Sequence, residues 1–197
     1  MFVYFVFLFS YFVGIFYRLN KEKNLIGEEN LLLLWRKQKK TIVINVGIIA
    51  PLFYNIMERY IEYTIPENVY KNLFVFCVNW VIYDFLYYFV HLLLHNKYFY
   101  KLHKKSHEIK ERVSFSIYYC SSLEFLILEL LPLYIGLIFF NANFMIYMYM
   151  TIVETLYRMK RLRMDVGIFH MKIGNCNFGV DLMMDKWMKT KHSRKLE

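Results

Sequence analysis

The sequence predicts an all-α integral membrane protein, a bundle of about four to five hydrophobic helices with a cytosolic helical cap that bears histidines. Three observations predict this class. Of the 197 residues, 58% are hydrophobic and 20% are aromatic, which is more apolar than a soluble domain usually is. The apolar residues form long segments, and the basic residues and histidines gather beside them. The length is that of a single domain, residues 1–197.

Five apolar segments account for the predicted helices: 2–17, 41–57, 73–94, 123–140 and 142–157. A helix needs about 20 apolar residues to cross a bilayer, and several segments are shorter than that, so 123–140 and 142–157 are expected to enter the bilayer only in part or to cross it at a tilt. The last two predict a helical hairpin. The first has no basic stretch before it and no small-residue cleavage site. Residues 1–17 are therefore predicted to be an N-terminal anchor helix rather than a signal peptide.

The basic residues predict an orientation. They cluster in 18–40, 96–112 and 158–163, whereas the connection at 58–72 mixes both signs. If the chain crosses once at each apolar segment, the three basic regions share one side, and the positive-inside rule makes that side the cytosol. This topology, with contact to anionic lipid heads, explains the net charge of +9. Nucleic acid is not an expected partner, because the charge lies beside the spans rather than on a separate face.

The stretch HLLLHNKYFYKLHKKSH, residues 91–107, holds two histidine pairs, His91 with His95 and His103 with His107. Residues four apart on a helix lie about 40° apart around its axis, on one face. Two imidazoles at this spacing can bind one metal ion, and histidine-rich sites favour iron, zinc, copper or nickel. The alternative is a set of interfacial histidines among lysines, without a metal.

Asp84 lies within the third apolar segment, seven positions before His91 and on the same helix face. A carboxylate in an apolar span is costly and needs a partner. One interpretation is that it accepts a hydrogen bond from a metal-ligating imidazole, as carboxylates around metal sites commonly do. The other is that it bonds to Asn79, to a tyrosine or to a neighbouring helix.

Two blocks of sequence resemble the fatty acid hydroxylase and sterol desaturase superfamily, whose members are membrane non-haem di-iron oxygenases of the endoplasmic reticulum. In DFLYYFVHLLLHNKYFYKLHKKSHE, residues 84–108, the matching positions are Asp84, Tyr88, His91, His95, His103, Lys104 and His107. In NCNFGVDLMMDKWMKT, residues 175–190, they are Asn177, Phe178, Gly179, Asp185 and Thr190. Together the blocks place the resemblance over residues 73–190.

The resemblance implies a set of site residues. Iron, as a di-iron centre, would be held by His91, His95, His103, His107 and His170. Asp84 would orient an imidazole, and structural roles would fall to Asn177, Gly179 and Asp185. The substrate would be a lipid or sterol that enters from the bilayer. Electrons would come from a cytochrome b5 or a reductase. The protein would lie in the endoplasmic reticulum membrane, with the histidine site on the cytosolic face.

Several histidines of the family pattern are replaced, at Ser106, Leu156, Gly167 and Met171. Completing a second iron site would need carboxylates, for which the candidates are Glu108, Glu111, Glu154 and Asp165. Of these, Glu154 and Asp165 are more readily explained as solvated groups or as ion-pair partners of nearby arginines. His192, in a basic tail, is predicted to be a surface residue rather than a ligand.

Two functions remain open at this point. The first is a membrane oxygenase that attacks a C–H bond of a lipid or sterol. The second is a catalytically inactive relative that keeps the fold and binds a lipid or a protein partner, which the replaced histidines favour. A metal transporter is a weaker third possibility, because the imidazoles lie at the end of a span rather than along it.

Overall fold

The structure is a computed structural model, which describes residues 1–63, 68–109, 113–161, 170, 176–181 and 183–191. The helices are α1 Phe2–Ile26, α2 Glu28–Ile44, α3 Ala50–Met57, α4 Val69–Leu94, α5 Tyr100–His103, α6 Ser122–Glu124, α7 Leu131–Phe139, α8 Phe144–Arg161 and α9 Met183–Trp187. The connections include 3₁₀ turns at Glu58–Tyr60, Lys104–Glu108 and Ser114–Tyr118, and wider π turns at Asn45–Ile49 and Phe125–Leu130. The predicted all-α class is confirmed.

Four helical stretches are long and apolar enough to cross a membrane: Phe2–Ile26, Glu28–Tyr60, Val69–Leu94 and Ser122–Phe139. This confirms the predicted membrane bundle. The fifth apolar segment forms α8, which does not meet that criterion. Its buried face carries polar and charged side chains, among them Thr151, Glu154 and Thr155. It therefore packs these groups inside the bundle rather than against lipid.

The first connection differs from the expected one. The predicted anchor ended at residue 17, but α1 runs on to Ile26, and α2 starts directly after Gly27. Gly27 has a φ of 82°, a left-handed conformation that glycine adopts without strain. The basic residues of 18–40 thus lie on two helices rather than in a loop. A helix can continue beyond the bilayer because charged side chains there reach water.

Both π turns come immediately before a proline near the start of the next helix, Pro51 in α3 and Pro132 in α7. A proline ring lacks an amide donor and displaces the carbonyl four residues earlier, so the preceding turn widens. In the first of these turns Asn45 is buried, and its amide donates to the carbonyls of Tyr118 and Cys120, both at 3.0 Å. This contact ties the second span to the connection that leads into α6.

Two glycines allow close helix packing. A Cβ at Gly14 in α1 would overlap the side chain of Met159 in α8. A Cβ at Gly136 in α7 would overlap Asn79 in α4, whose amide donates to the carbonyl of Leu133 at 3.1 Å. Small residues at crossings let membrane helices approach closely. Asn79 therefore joins α4 to α7 and is not the partner of Asp84.

The connection at 113–121 is hydrogen-bonded to α1 and to α5, which carries His103. Its Phe115 carbonyl accepts from the Tyr11 hydroxyl of α1 at 2.8 Å, and its Ser114 amide donates to buried Glu22 at 3.0 Å. Ser121 then caps α6, and its hydroxyl also donates to the carbonyl of Leu102 in α5 at 2.7 Å. These bonds fix α6 beside α5.

Candidate metal centre

Five histidines meet where α4 ends: His91, His95, His103, His107 and His170. The Nε2 atoms of His91 and His103 are 3.1 Å apart, those of His103 and His107 3.0 Å, and those of His95 and His170 3.3 Å. One ring nitrogen from each of His91, His95, His103 and His170 lies within 4.8 Å of the others. The two pairs within 91–107 and the distant His170 thus share one site.

Three of these rings are held through their other nitrogen. Nδ1 of His91 lies 2.8 Å from the carbonyl of Phe178, and Nδ1 of His170 lies 2.6 Å from the carbonyl of Cys176. Nδ1 of His103 lies 2.7 Å from a carboxylate oxygen of Glu124. Each of these oxygens can only accept, so Nδ1 must carry the hydrogen and donate. In a neutral ring Nε2 then presents a bare lone pair.

Bare lone pairs at hydrogen-bond distance repel one another unless a cation lies between them. Nitrogen ligands that are about 2.0–2.1 Å from one metal ion lie about 3.0–3.4 Å from each other. The Nε2 separations of 3.0–3.3 Å in the cluster agree with that spacing. The donor set and its geometry therefore fit a metal ion held by imidazole nitrogens.

The surroundings favour uncharged imidazoles. Burial lowers the pKa of His95 to about 4, and the nearby His103 adds to the effect. Burial also holds the pKa of His170 well below its usual value, and His107 lowers it further, although the hydrogen bond to Cys176 acts in the opposite direction. Neutral imidazole is the form that binds a metal, so both rings are ready for a metal at neutral pH.

Glu124 is a site residue that the sequence analysis missed. Its side chain is buried, and one carboxylate oxygen accepts from both the His103 ring and the Ser106 hydroxyl. A carboxylate beside a metal-ligating histidine fixes the ring and raises its basicity. The available signal was a carboxylate at the start of the fourth apolar segment, the same costly feature that drew attention to Asp84. Ser106 stands where the family pattern has a histidine, and its hydroxyl donates a hydrogen bond to Glu124.

Asp84 was expected to accept a hydrogen bond from an imidazole, but its partners are backbone amides. One of its oxygens accepts from the backbone amide of Asp181 at 2.8 Å, and the other from that of Met184 at 3.0 Å. The predicted helix face was correct, but seven residues along a helix amount to about 10 Å. At that height the neighbour of Asp84 is the C-terminal segment and not the ring of His91.

Asp185 holds the same segment from the other side. Its carboxylate accepts from the amides of Phe178 at 2.8 Å and Gly179 at 2.7 Å, and from the Thr190 hydroxyl at 2.7 Å. Gly179 lies between the two aspartates. A Cβ there would come within 2.8 Å of Asp84 and 2.9 Å of Asp185, so a glycine is needed for both carboxylates to reach the backbone.

This clamp, formed by Asp84 and Asp185, positions two candidate ligands. Cys176 and Phe178, whose carbonyls accept from His170 and His91, lie on either side of Asn177. Asn177 has a φ of 58°, which asparagine tolerates better than most residues. Its backbone amide donates to the carbonyl of Thr190 at 3.1 Å. Asp84 and Asp185 thus fix the segment that contains Asn177 and Gly179. The carbonyls of this segment in turn set the orientation of the His91 and His170 rings.

The other candidate ligands lie elsewhere. Glu108 accepts from the Tyr119 hydroxyl at 3.1 Å. Glu154 is buried in the bundle and ion-paired with Arg158. Leu156 is partly exposed on α8. The remaining positions, Glu111, Asp165, Gly167, Met171 and His192, fall outside the described residues. Within the described ranges, the histidine cluster is the only group of metal-binding side chains of this kind.

A comparison with protein families agrees with this geometry. The family model described as fatty acid hydroxylase matches residues 76–190, which include all five clustered histidines, Glu124 and the clamp of Asp84 and Asp185. No curated protein and no solved structure matches the chain. Since the matched region is more than half of the sequence, the chain belongs to the fatty acid hydroxylase family.

Proposed function

We propose that the protein is a membrane-bound, non-haem iron oxidoreductase that hydroxylates or desaturates a lipid chain or a sterol. The observation that carries this proposal is the convergence of five imidazoles with Nε2 separations of 3.0–3.3 Å. Three of these rings, His91, His103 and His170, already donate through Nδ1 to an oxygen. A cation would relieve the repulsion between facing lone pairs, above all between the Nε2 atoms of His91 and His103 at 3.1 Å. Family membership favours iron, which when bound supplies the oxygen-activating chemistry.

The chain itself supplies position and an apolar approach. Glu124 and the carbonyls of Cys176 and Phe178 retain the Nδ1 hydrogens, so that the Nε2 atoms face the ion. The outer surface of α4 near the histidines is apolar, with Phe85 and Phe89 partly exposed. In a membrane that surface meets lipid, so a lipid substrate reaches the site from the bilayer rather than from water.

We further propose one metal ion per chain. His103 lies at the centre of the cluster, with its Nε2 near those of both His91 and His107, so the ligands surround one position. The hydroxyl of Ser106 is directed to Glu124, and Glu154 is engaged by Arg158. A second ion would lack these ligands. The same observation favours the alternative function, an inactive relative that binds a lipid or a partner.

The decisive experiment is metal analysis of the purified protein, combined with an assay on sterol and fatty acyl substrates under labelled oxygen with a reductant. The expected result is about one iron per chain and a labelled, oxidised product. Iron without product would establish the inactive relative. Two irons per chain would refute the single site, and no metal at all would refute the centre. His192→Ala is the matched histidine control for His103→Ala in each measurement.

The electron donor and the location follow from the same proposal. Lys97, Lys101 and Lys104 are exposed near the histidine cluster, and a basic surface there suits an acidic donor such as a cytochrome b5 or its reductase. The basic regions favour a cytosolic position for this end by the positive-inside rule, and the family resemblance favours the endoplasmic reticulum membrane. Glycosylation tags near residue 65 should therefore be modified, and tags near 30, 110 or 195 should not. A modified tag at 110 would contradict the orientation.

A further inference from the structure

A second buried polar cluster lies inside the bundle, and the proposed function does not use it. It consists of Glu129, in the π turn before α7, with Glu154 and Arg158 of α8. Their side chains are only 7%, 4% and 10% exposed, and the guanidinium pairs with both carboxylates. The Tyr83 hydroxyl of α4 accepts from Nη2 of Arg158 at 2.7 Å and donates to Glu154 at 3.0 Å.

The charges of these three groups do not balance. Two ionised carboxylates and one guanidinium would leave one net negative charge. A buried charge without compensation is very costly in a low-dielectric interior, and a group in that position takes up a proton instead. Two carboxylates that share one site cannot both ionise easily, as in paired acids generally. One proton shared between Glu129 and Glu154 makes the cluster neutral.

The groups around the cluster do not change this count. Among the described residues, the titratable side chains with a recorded interaction with the cluster are tyrosines of α3, α4, α7 and the 113–121 connection: Tyr54, Tyr83, Tyr87, Tyr118 and Tyr134. Phenol groups are uncharged at neutral pH. They can hydrogen-bond to the carboxylates but cannot neutralise them.

The cluster lies close to the histidine centre. The guanidinium carbon of Arg158 is 4.9 Å from the centre of the Tyr87 ring. That ring in turn meets the His91 ring edge-on, with 5.4 Å between their centres. One aromatic side chain thus separates the three charged groups from a metal-ligand candidate.

We propose that Glu129, Glu154 and Arg158 form a proton-holding site that carries one exchangeable proton on its carboxylates at neutral pH and supplies it to the chemistry at the histidine centre. The use of the proton rests on the proposed function. When one atom of O₂ enters a C–H bond and the other leaves as water, the reaction consumes two electrons and two protons. The electrons come from the reductant. The carboxylic acid supplies one proton and water supplies the other, and the carboxylate left beside Arg158 then regains its proton from water.

Infrared spectroscopy of metal-free protein, in a detergent without carbonyl groups, tests the protonation directly. Wild type at neutral pH should show a protonated-carboxyl band that shifts in deuterated water. Glu129→Gln and Glu154→Gln should each remove that band, because the remaining carboxylate is neutralised by Arg158. Arg158→Met should about double it. Glu22→Gln, which changes a buried carboxylate bonded to Ser114 instead, should leave it unchanged.

A wild-type spectrum that neither glutamine variant alters would overturn the proposal, because both carboxylates would then be ionised. Glutamine is close to glutamate in size, so this comparison holds even if Arg158→Met does not fold. For the use of the proton, Glu154→Gln should keep the metal content of wild type and slow turnover several-fold. Unchanged turnover would refute that role. The infrared result needs no metal, so it stands or fails separately from the proposed oxidoreductase.

Discussion

The histidine centre and the Glu129–Glu154–Arg158 cluster are both polar and buried in an apolar protein, but they are completed differently. In the second, the guanidinium that neutralises one carboxylate belongs to the chain, and the proposed proton neutralises the other. In the first, every ring with an assigned hydrogen, His91, His103 and His170, turns a lone pair inward.

The difference separates a structural cluster from a binding site. A cluster that contains its own counter-charge is stable as folded, whereas one with only acceptors facing inward is completed by a cation from outside. Removing a charge from the Glu129–Glu154–Arg158 cluster should therefore destabilise the fold without affecting metal binding. Removing a ring from the histidine centre should abolish metal binding and have a smaller effect on the stability of the metal-free fold.

The largest expected effect belongs to the self-contained cluster. Arg158→Met leaves two buried carboxylates without their cation, and breaking a buried ion pair typically costs about 3–5 kcal/mol of unfolding free energy. Folded protein should still bind metal as wild type does. Unfolding in detergent and metal content per folded chain are the measurements. The exposed cation on the same helix, Lys160→Met, is the control and should change neither. Loss of metal from folded Arg158→Met would show that the clusters are not independent.

The next effect belongs to the histidine centre. His103→Ala removes the ring whose Nε2 lies near two others, so metal affinity should fall by more than the roughly 100-fold upper range for outer partners. Metal titration of the variant and of His192→Ala provides the comparison. A bound metal at about 100 times its Kd adds about 2.7 kcal/mol to the free energy of unfolding. Chelation should therefore lower the thermal midpoint of wild type but not that of His103→Ala, which no longer holds the metal. Equal midpoint shifts would contradict a ligand role for His103.

The sequence predicts the local part of this site and not the remote part. His91, His95, His103 and His107 lie within one stretch, and helical spacing predicts that the two members of each pair face the same way. The turn after α4 then brings the second pair back to the first. The structure brings them together as expected, while metal binding itself stays a prediction. The membrane bundle follows from apolar segments in the same local way. His170 was found only through the resemblance, because nothing in GIFHM by itself indicates a ligand.

The partners of the rings depend on the tertiary fold. Glu124 reaches His103 where the Ser121 hydroxyl ties the start of α6 to α5, a contact between separate elements of the fold. The acceptors for His91 and His170 are backbone carbonyls, which have no side-chain signature in a sequence. For Asp84 the helix face was predicted correctly, but the distance along the axis placed the carboxylate against another segment.

Glu124→Gln sharpens the comparison by altering a partner of a ring rather than a ring. The amide oxygen can still accept from Nδ1 of His103, but the negative charge that raises the basicity of the ring is lost. Metal affinity should fall by about 10–100-fold. Glu108→Gln is the matched control, since Glu108 accepts from Tyr119 and not from a histidine. If the two variants bind metal equally well, Glu124 does not tune the centre.

The smallest effect is expected for Asp84→Asn, which acts through the C-terminal segment. An asparagine keeps one acceptor oxygen but cannot accept from both Asp181 and Met184, and leaving a buried amide unpaired costs about 1–3 kcal/mol. The segment should loosen, so amide hydrogen exchange at those two residues should accelerate. Because Asp185 still holds the Phe178 amide, the carbonyls of the segment stay near His91 and His170. Metal affinity should then fall less than in Glu124→Gln. A larger fall, without faster exchange, would mean that Asp84 bonds to a ligand ring directly.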